Sequence, residues 1–190
     1  MDFDEVLRRR RMIRHHAPGG AVELQVLERI ATAATRGPTA GNAQGVTVIL
    51  VTEPTRLAAI AEACGEPAHL ERGYDPWLSS AAAHLVLCVE PGRYRGRYAE
   101  PDKDPKALAI PWWWVDGGAA LMAILLAAVD AGLGAGFLGG HRAGDVRRLL
   151  EIPDEVEILG VVTLGPIAAD RRSASSRRPR RDDAVRHQRW

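Results

Sequence analysis

The sequence predicts an α/β or α+β sandwich, on the basis of three observations. Short apolar runs of strand length alternate with segments whose apolar residues recur at helical spacing. One helical segment in the second half is apolar nearly all round, which is typical of a helix inside a core. The 190 residues are 46% hydrophobic and 26% charged, a globular composition sufficient for one core. We therefore expect a single domain over residues 1–190, with 166–190 as an extended C-terminal arm.

Two helices are predicted before the first strand. Apolar residues at helical spacing place one at Phe3 to Leu7, and the arginine run after it suits the negative end of the helix dipole. The second extends from Leu24 to Ala34 and ends near Gly37 and Pro38, which do not continue helices.

The remaining elements alternate along the chain. Four apolar runs of strand length are Val46 to Val51, His84 to Val89, Ala135 to Leu138 and Val156 to Leu164. Helical segments are Pro54 to Cys64, Trp77 to Ala82, Asp116 to Ala131 and Asp145 to Leu150. The segment Asp116 to Ala131 is expected to be buried on every side. The segment Glu90 to Pro111 is rich in Pro, Gly and Arg without periodicity, and is predicted to be a flexible loop that shapes an acceptor pocket.

Positive charge is concentrated in two clusters, Arg8 to Arg14 and Arg171 to Arg181, although the net charge is only +1. A protein that binds a polyanion normally has a broad basic face. A small anion such as a phosphate needs only two or three guanidinium groups. The distribution therefore favours a small anionic ligand over nucleic acid.

Membrane and metal sites are not expected. The longest apolar stretch, Ala119 to Val129, is shorter than a bilayer span, and the acidic N-terminus does not resemble a secretory leader, so a cytoplasmic protein is predicted. Cys64 and Cys88 have no metal-ligand spacing and are expected to be structural thiols.

Four segments, in order along the chain, resemble the flavin-dependent nitroreductases. Residues 10–14 (RRMIR) resemble an "RRSxR" opening, and residues 37–44 (GPTAGNAQ) resemble a "PSxxNxQ" loop. The run Ala119 to Gly140 is similar to the central helix and flavin-edge strand of that family, and the end of the chain resembles its "RxP…VV…RW" tail. The sequence departs from the family at Met12, where a small hydroxyl residue is usual, and at Gly45-Val46, where Pro-Trp is common.

The resemblance implies an α+β fold with a mixed or antiparallel sheet and the central helix at a dimer interface. It implies a homodimer in which two FMN molecules lie between the chains, each touched by both. The implied reaction moves electrons from NADPH or NADH to a nitroaromatic compound, a quinone or another small organic acceptor. Because such chemistry is centred on the flavin, no catalytic side chain is expected.

The resemblance also implies roles for individual residues. Arg10, Arg11 and either Arg177 or Arg178 would bind the FMN phosphate, and Arg14 would approach the N1/O2 edge of the ring. The full predicted cofactor set is Arg10, Arg11, Met12, Arg14, Pro38, Thr39, Ala40, Asn42, Gln44, Leu138, Gly139, Gly140, Arg177 and Arg178. Gly139 and Gly140 would let backbone amides approach N5. Among three adjacent indoles, Trp113 is a candidate substrate contact.

Two other classes of function remain open at this point. A protein of the same fold could bind or process a flavin or deazaflavin without general nitroreductase activity. A nucleic-acid or acidic-partner binder could instead use both arginine clusters with no flavin.

Overall fold

The computed structural model describes residues 1–142, 144–168, 178–179, 181 and 183–190. The α-helices of these residues are α1 Phe3–Arg9, α2 Leu24–Ala33, α3 Pro54–Ala63, α4 Glu66–Glu71, α5 Pro91–Tyr98, α6 Trp112–Asp130 and α7 Val146–Leu149. The strands are β1 Val46–Val51, β2 Ala83–Val89, β3 Gly134–Gly139 and β4 Glu157–Gly165. Short 3-10 helices lie at Ala40–Asn42, Pro105–Ala109 and Gly140–Arg142.

The four strands form one antiparallel sheet in the order β1-β2-β4-β3. The predicted strands are confirmed to within one residue at each end, because each is an apolar run of strand length. Val46 of β1 pairs with Val89 of β2, which pairs with Glu157 of β4. At the far edge, Gly139 of β3 pairs with Gly160 of β4. The start of β1 and the end of β3 therefore lie at the same end of the sheet, on opposite edges.

The core has two layers, one on each face of the sheet. Every residue of β2 is buried, and its side chains alternate between the faces. Leu85 and Leu87 belong to the cluster that includes α2 and α6, whereas Val86 and Cys88 belong to the cluster that includes α3 and α7. This arrangement is the α+β sandwich that the sequence predicts.

Helix α6 is longer and less buried than predicted. It begins at Trp112, and one face packs on the sheet through residues that include Gly117, Ala120 and Ile124. Trp114 and Met122 on other faces are 41% and 45% exposed, so the prediction of burial on every side is wrong for the single chain. A sequence that is apolar on both sides of a helix fits two cases: a helix inside the core, and a helix whose second face is an exposed apolar surface that can bind a partner. By length and composition α6 would also satisfy the test for a membrane span, a test that core helices of soluble proteins pass too.

Two predictions for the middle of the chain are wrong. Trp77 to Ala82 is a turn and not a helix, because the carboxylate of Glu66 accepts hydrogen bonds from its backbone amides. Glu90 to Pro111 is structured, with α5 and a 3-10 helix. Its order comes from tertiary contacts such as those of Tyr94, which is fully buried. Contacts of this kind leave no periodic pattern in the sequence.

From Arg178 onward, the described residues of the C-terminal arm are exposed. Trp190 is 98% exposed, with its ring 5.9 Å from the guanidinium carbon of Arg186. A large aromatic side chain usually packs against other residues, but in the single chain this tryptophan does not pack on the core. Arg177 lies outside the described residues, so its convergence with Arg10 on one phosphate stays a prediction.

Candidate functional site

The arginine segment of residues 10–14 lies along the edge strand β3. The amide of Ile13 donates a hydrogen bond of 2.8 Å to the carbonyl of Ala135. A Cβ atom at Gly136 would lie 2.7 Å from the carbonyl oxygen of Ile13, so only glycine allows this approach. Arg10 ends α1 half-buried, while Arg11 and Met12 are exposed. The strand thus fixes the backbone from which Arg14 projects.

Arg14 lines a cavity of about 430 Å³ at the end of β3, which we call the arginine cavity. Its lining residues are Arg14, Cys64, Gly65, Glu66, His69, Trp77, Leu78, Phe137, Leu138, Gly139, His141 and Arg142. The guanidinium carbon of Arg14 lies 5.2 Å from the centre of the Trp77 ring, a cation–π contact. Among the described residues, neither Arg10 nor Arg14 is paired with a carboxylate. Both side chains are available to an anionic ligand.

Glu66 fixes the position of Trp77 in the wall of this cavity. Its carboxylate accepts backbone hydrogen bonds of 2.7 Å from Trp77, 2.7 Å from Leu78 and 3.0 Å from Ser79. Although burial raises the pKa of Glu66, hydrogen bonds from these three residues lower it overall. The ionised carboxylate therefore holds the turn, and the turn holds the indole beside Arg14. The neighbouring Cys64 is not a nucleophile near neutral pH, because burial raises the pKa of its thiol to about 11.

The two predicted glycines at the end of β3 have different surroundings. A Cβ at Gly140 would lie 1.9 Å from the carbonyl oxygen of Ile158, so packing within the chain already requires glycine there. A Cβ at Gly139 would meet only the ring of His141, at 3.0 Å. Gly139 borders the arginine cavity together with Leu138, which keeps both in the candidate cofactor set.

The loop of residues 37–45 lines a second cavity, of about 370 Å³, which we call the loop cavity. Its lining residues are Ala34, Thr35, Gly37, Thr39, Asn42, Gln44 and Val46. Asn42 and Gln44 are exposed, and the side-chain amide of Gln44 donates to Oδ1 of Asn42 at 3.2 Å. Pro38 is exposed and Ala40 is half-buried beside them. The loop therefore offers amide and hydroxyl groups to a polar ligand.

The predicted site residues fall into two groups that do not meet within one chain. The loop precedes β1 and the arginine cavity follows β3, at the same end but opposite edges of the sheet. Three strand spacings of about 4.8 Å put these edges about 14 Å apart. Between these edges, α6 packs on the two middle strands, because a Cβ at Gly117 would touch Val89 and Leu159. The two cavities share no lining residue.

Trp113 lines neither of these two cavities. Its ring lies 5.6 Å from the guanidinium carbon of Arg95 and 6.2 Å from the ring of Tyr94. The Nε1 atom is buried and has no hydrogen-bond partner among the described residues. The role of Trp113 as a substrate contact stays a prediction.

Sequence reasoning missed four residues that build the site: Glu66, Trp77, Tyr94 and Asp116. The signal for Asp116 is visible in the sequence, since it is the one carboxylate in a helix that is otherwise apolar up to Asp130. Glu66 and Tyr94 have no such signal, because their partners are backbone groups or side chains distant in sequence.

The residues present fit FMN by their chemistry. A flat aromatic wall, an unpaired guanidinium and a glycine edge in the arginine cavity match a planar ring that accepts negative charge. Arg10 supplies a second guanidinium for a phosphate. The loop cavity adds neutral hydrogen-bonding groups suited to the polar end of such a cofactor.

Comparisons with known proteins agree with this fit. The model of the nitroreductase family matches residues 7–166. An FMN reductase [NAD(P)H] of Bacillus subtilis is 30% identical over 176 residues, which are 88% of this chain and 66% of that protein. An NADH dehydrogenase of Thermus thermophilus is 30% identical over 179 residues, with 87% and 86% of the two chains covered. The solved NADPH:FMN oxidoreductase of Vibrio harveyi, complexed with NAD+, is 24% identical and has a TM-score of 0.74 over 98% of this chain and 77% of its own. Together with the fold and the order of the motifs, these matches establish that the chain belongs to the nitroreductase family.

Proposed function

We propose that the protein transfers electrons from NAD(P)H to a small organic acceptor through FMN bound between two copies of the chain. The family and the relatives named FMN reductase and NADH dehydrogenase identify an NAD(P)H oxidoreductase with FMN as its cofactor. A nitroaromatic compound or a quinone is the acceptor class that the family name suggests. The homodimer and the individual cofactor contacts are our proposal.

The position of the two cavities is the observation on which the shared site depends. One chain presents the arginine cavity at one edge of its sheet and the loop cavity at the other. A two-fold dimer brings the first group of one copy to the second group of its partner, because an isologous interface repeats each contact twice. The apolar residues that α6 exposes, Trp114, Val115 and Met122, supply a surface for that contact.

When bound, FMN supplies the hydride and electron chemistry, so the chain's own residues bind and orient. Arg10 pairs with phosphate, and Arg14 places a fixed positive charge at the ring edge where reduction adds negative charge. Trp77 limits the movement of the Arg14 guanidinium by the cation–π contact. Thr39, Asn42 and Gln44 of the partner copy bind the polar groups of the same cofactor.

The first test is the ultraviolet-visible spectrum of the purified protein with and without added FMN. We expect a flavin band that NADPH or NADH bleaches under anaerobic conditions and that a quinone restores. A protein that takes up no FMN would rule out the proposal. A flavin band that neither nicotinamide bleaches would favour the flavin- or deazaflavin-handling alternative, and tight salt-sensitive binding of nucleic acid would favour the third class.

The second test asks whether one site uses two chains. Chains with Arg14→Ala are co-expressed with chains in which Asn42→Gly and Gln44→Gly remove the loop amides but keep the left-handed backbone. In a shared site, each mixed dimer has one site with all changes and one intact site. We therefore expect mixed dimers to recover about half of the wild-type FMN content, whereas each variant alone is depleted.

A site built within one chain gives the opposite result. Every site in the mixed dimer would then contain one damaged group, and FMN content would stay at the level of the separate variants. A matched control is the mixture of two chains that both carry Arg14→Ala, in which no intact site forms under either arrangement.

A further inference from the structure

The loop of residues 37–45 adopts a backbone that is costly for most residues. Gly41, Asn42 and Gln44 have φ angles of 62°, 58° and 51°, in the left-handed region. Glycine adopts this region freely and asparagine tolerates it, whereas the side chain of Gln44 makes it unfavourable. Within the loop, the amide of Asn42 donates to the carbonyl of Thr39 at 2.8 Å. The amide of Ala43 donates to the carbonyl of Ala40 and that of Gln44 to Oγ1 of Thr39, both at 3.1 Å. Contacts from elsewhere in the chain add to these hydrogen bonds within the loop.

Asp116 of α6 provides one such contact. Its side chain is 7% exposed, and Oδ2 accepts a hydrogen bond of 2.9 Å from the amide of Ala40 and one of 2.8 Å from the hydroxyl of Tyr94. None of the lysines and arginines in the described part of the chain pairs with it. A buried carboxylate with only neutral donors costs stability in a helix that is otherwise apolar. Such a residue calls for a functional explanation.

Tyr94 of α5 contacts the end of the same loop. Its ring is fully buried, and a Cβ at Gly45 would lie 2.2 Å from Cε2 of the ring. The backbone of Gly45 can therefore pack directly against the Tyr94 ring only because glycine has no side chain. The departure from the family's usual Pro-Trp at Gly45-Val46 accompanies this contact between the end of the loop and the ring.

Arg97, one turn further along α5, contacts the middle of the loop. Its Nε donates to the carbonyl of Gly41 at 2.8 Å. Its two terminal nitrogens each donate a hydrogen bond of 2.7 Å to a carboxylate oxygen of Asp102. This bidentate ion pair fixes the orientation of the guanidinium that contacts the loop. The loop is thus contacted at three points: Asp116 contacts Ala40, Tyr94 contacts Gly45 and Arg97 contacts Gly41.

We propose that Asp116, Tyr94 and Arg97 form a brace that holds the loop 37–45 in its FMN-binding conformation, with Asp116 as the central positioning residue. The inference rests on the proposed function, because the loop is the part of the site that binds the partner's cofactor. The brace places α6 in direct contact with the loop, so the helix that faces the second copy also sets the geometry of the site. In the same way α5, which lies between β2 and α6 in the chain, influences the proposed site by holding the loop 37–45.

The test compares Asp116→Asn and Tyr94→Phe with the control Asp104→Asn, in which an exposed carboxylate that accepts a backbone hydrogen bond loses its charge away from the loop. FMN affinity is measured by flavin fluorescence with the apoprotein, and hydrogen exchange is measured by peptide in the apoprotein. For Asp116→Asn we expect FMN to bind about tenfold or more weakly, since a charge-assisted hydrogen bond is lost. Exchange should accelerate within 37–45 and stay unchanged in β2.

A double variant supplies a readout that a general loss of stability would not give. Both single changes act on the same carboxylate, so Asp116→Asn with Tyr94→Phe should weaken FMN binding no more than Asp116→Asn alone. If Asp116→Asn fails to fold, Tyr94→Phe still tests the brace, because it removes only the hydroxyl.

The outcomes separate the brace from the function. If the wild-type chain binds FMN and both variants keep its affinity and its exchange pattern, the brace is overturned and the proposed function stands. If exchange accelerates equally in β2 and α6, Asp116 has a general folding role and positioning is overturned. If the wild-type chain binds no FMN, the proposed function fails and the brace fails with it.

Discussion

In the proposed site, Arg14 is the residue through which this chain would act most directly on a bound flavin. Its guanidinium lies over Trp77 in the arginine cavity, without a carboxylate partner among the described residues. A positive charge in this place stabilises the reduced cofactor more than the oxidised one, because reduction adds negative charge.

We predict that Arg14→Ala lowers the flavin midpoint potential. A hydrogen bond to a charged group contributes about 1.5–3 kcal/mol, which is about 30–60 mV for a two-electron couple. Spectroelectrochemical titration measures the potential. Arg8→Ala, a change of the same kind on the exposed part of α1, should leave it unchanged. An Arg14→Ala protein with the wild-type potential would contradict the proposed position of this residue.

His16 gives a prediction for stability at low pH. Burial lowers the pKa of its imidazole to about 4, and Nε2 lies 2.9 Å from Oγ1 of Thr163. The unfolded chain binds a proton near the ordinary value of about 6.5. Between these values the unfolded state binds more protons, so the free energy of unfolding falls as the pH falls, by about 3 kcal/mol at pH 4. It is constant above about pH 7.

His16→Gln should flatten this dependence in urea unfolding at pH 7.5, 6 and 5. Part of the slope will remain, because burial also lowers the pKa of His84. His187→Gln, in the exposed arm, should leave the slope as it is in the wild type. An unaltered slope in His16→Gln would show that this imidazole is not the titrating group.

At the scale of elements, α6 packs closely on the two middle strands of the sheet, between the edges that carry the loop and the arginine cavity. Gly117 allows this contact, since a Cβ there would lie 2.6 Å from Leu159 and 2.9 Å from Val89. The buried side chain of Val89 and the half-buried side chain of Leu159 would have to move to accommodate one methyl group.

Gly117→Ala should therefore destabilise the protein by about 1–3 kcal/mol, although alanine favours helices. The control is Gly96→Ala in α5, where nothing lies within 4 Å of the new methyl group, and where alanine should stabilise by about 0.5–1 kcal/mol. Both values come from urea unfolding. A stabilised Gly117→Ala protein would mean that α6 does not pack on the middle strands as described.

At the scale of the whole molecule, the exposed apolar residues of α6 support the dimer that we propose. Met122 and Val115 are 45% and 53% exposed on a helix with few polar residues. Covering this surface removes it from water, and in our proposal it also completes the cofactor site.

We predict by light scattering a mass of about twice the 20.6 kDa of one chain. Met122→Lys should shift the protein to the monomer and deplete its FMN together, because a charge in an apolar interface is unfavourable. Leu70→Lys, equally exposed but on α4, should change neither property. A wild-type monomer that retains FMN would refute the shared site.

Much of this architecture could be predicted from the sequence. The strands and α2, α3 and α6 are visible because hydrophobic periodicity is a local property of the chain. The order of four short motifs sufficed to identify the family, since each motif is a contiguous segment. The turn at Trp77 and the helix α5 could not be found this way, because the groups that hold them are distant in sequence.

By itself, the sequence determined the α+β class, the strand boundaries and the family, and it supplied the candidate cofactor-binding residues. Only the tertiary structure decided that Arg14 and the loop 37–45 lie at opposite edges of one sheet. It also decided that Asp116 holds the loop and that Glu66 holds the turn at Trp77 beside Arg14. The physical reason is that periodicity and motifs record what each residue needs locally. Pairing order and buried hydrogen bonds depend on which distant segments meet when the chain closes on itself.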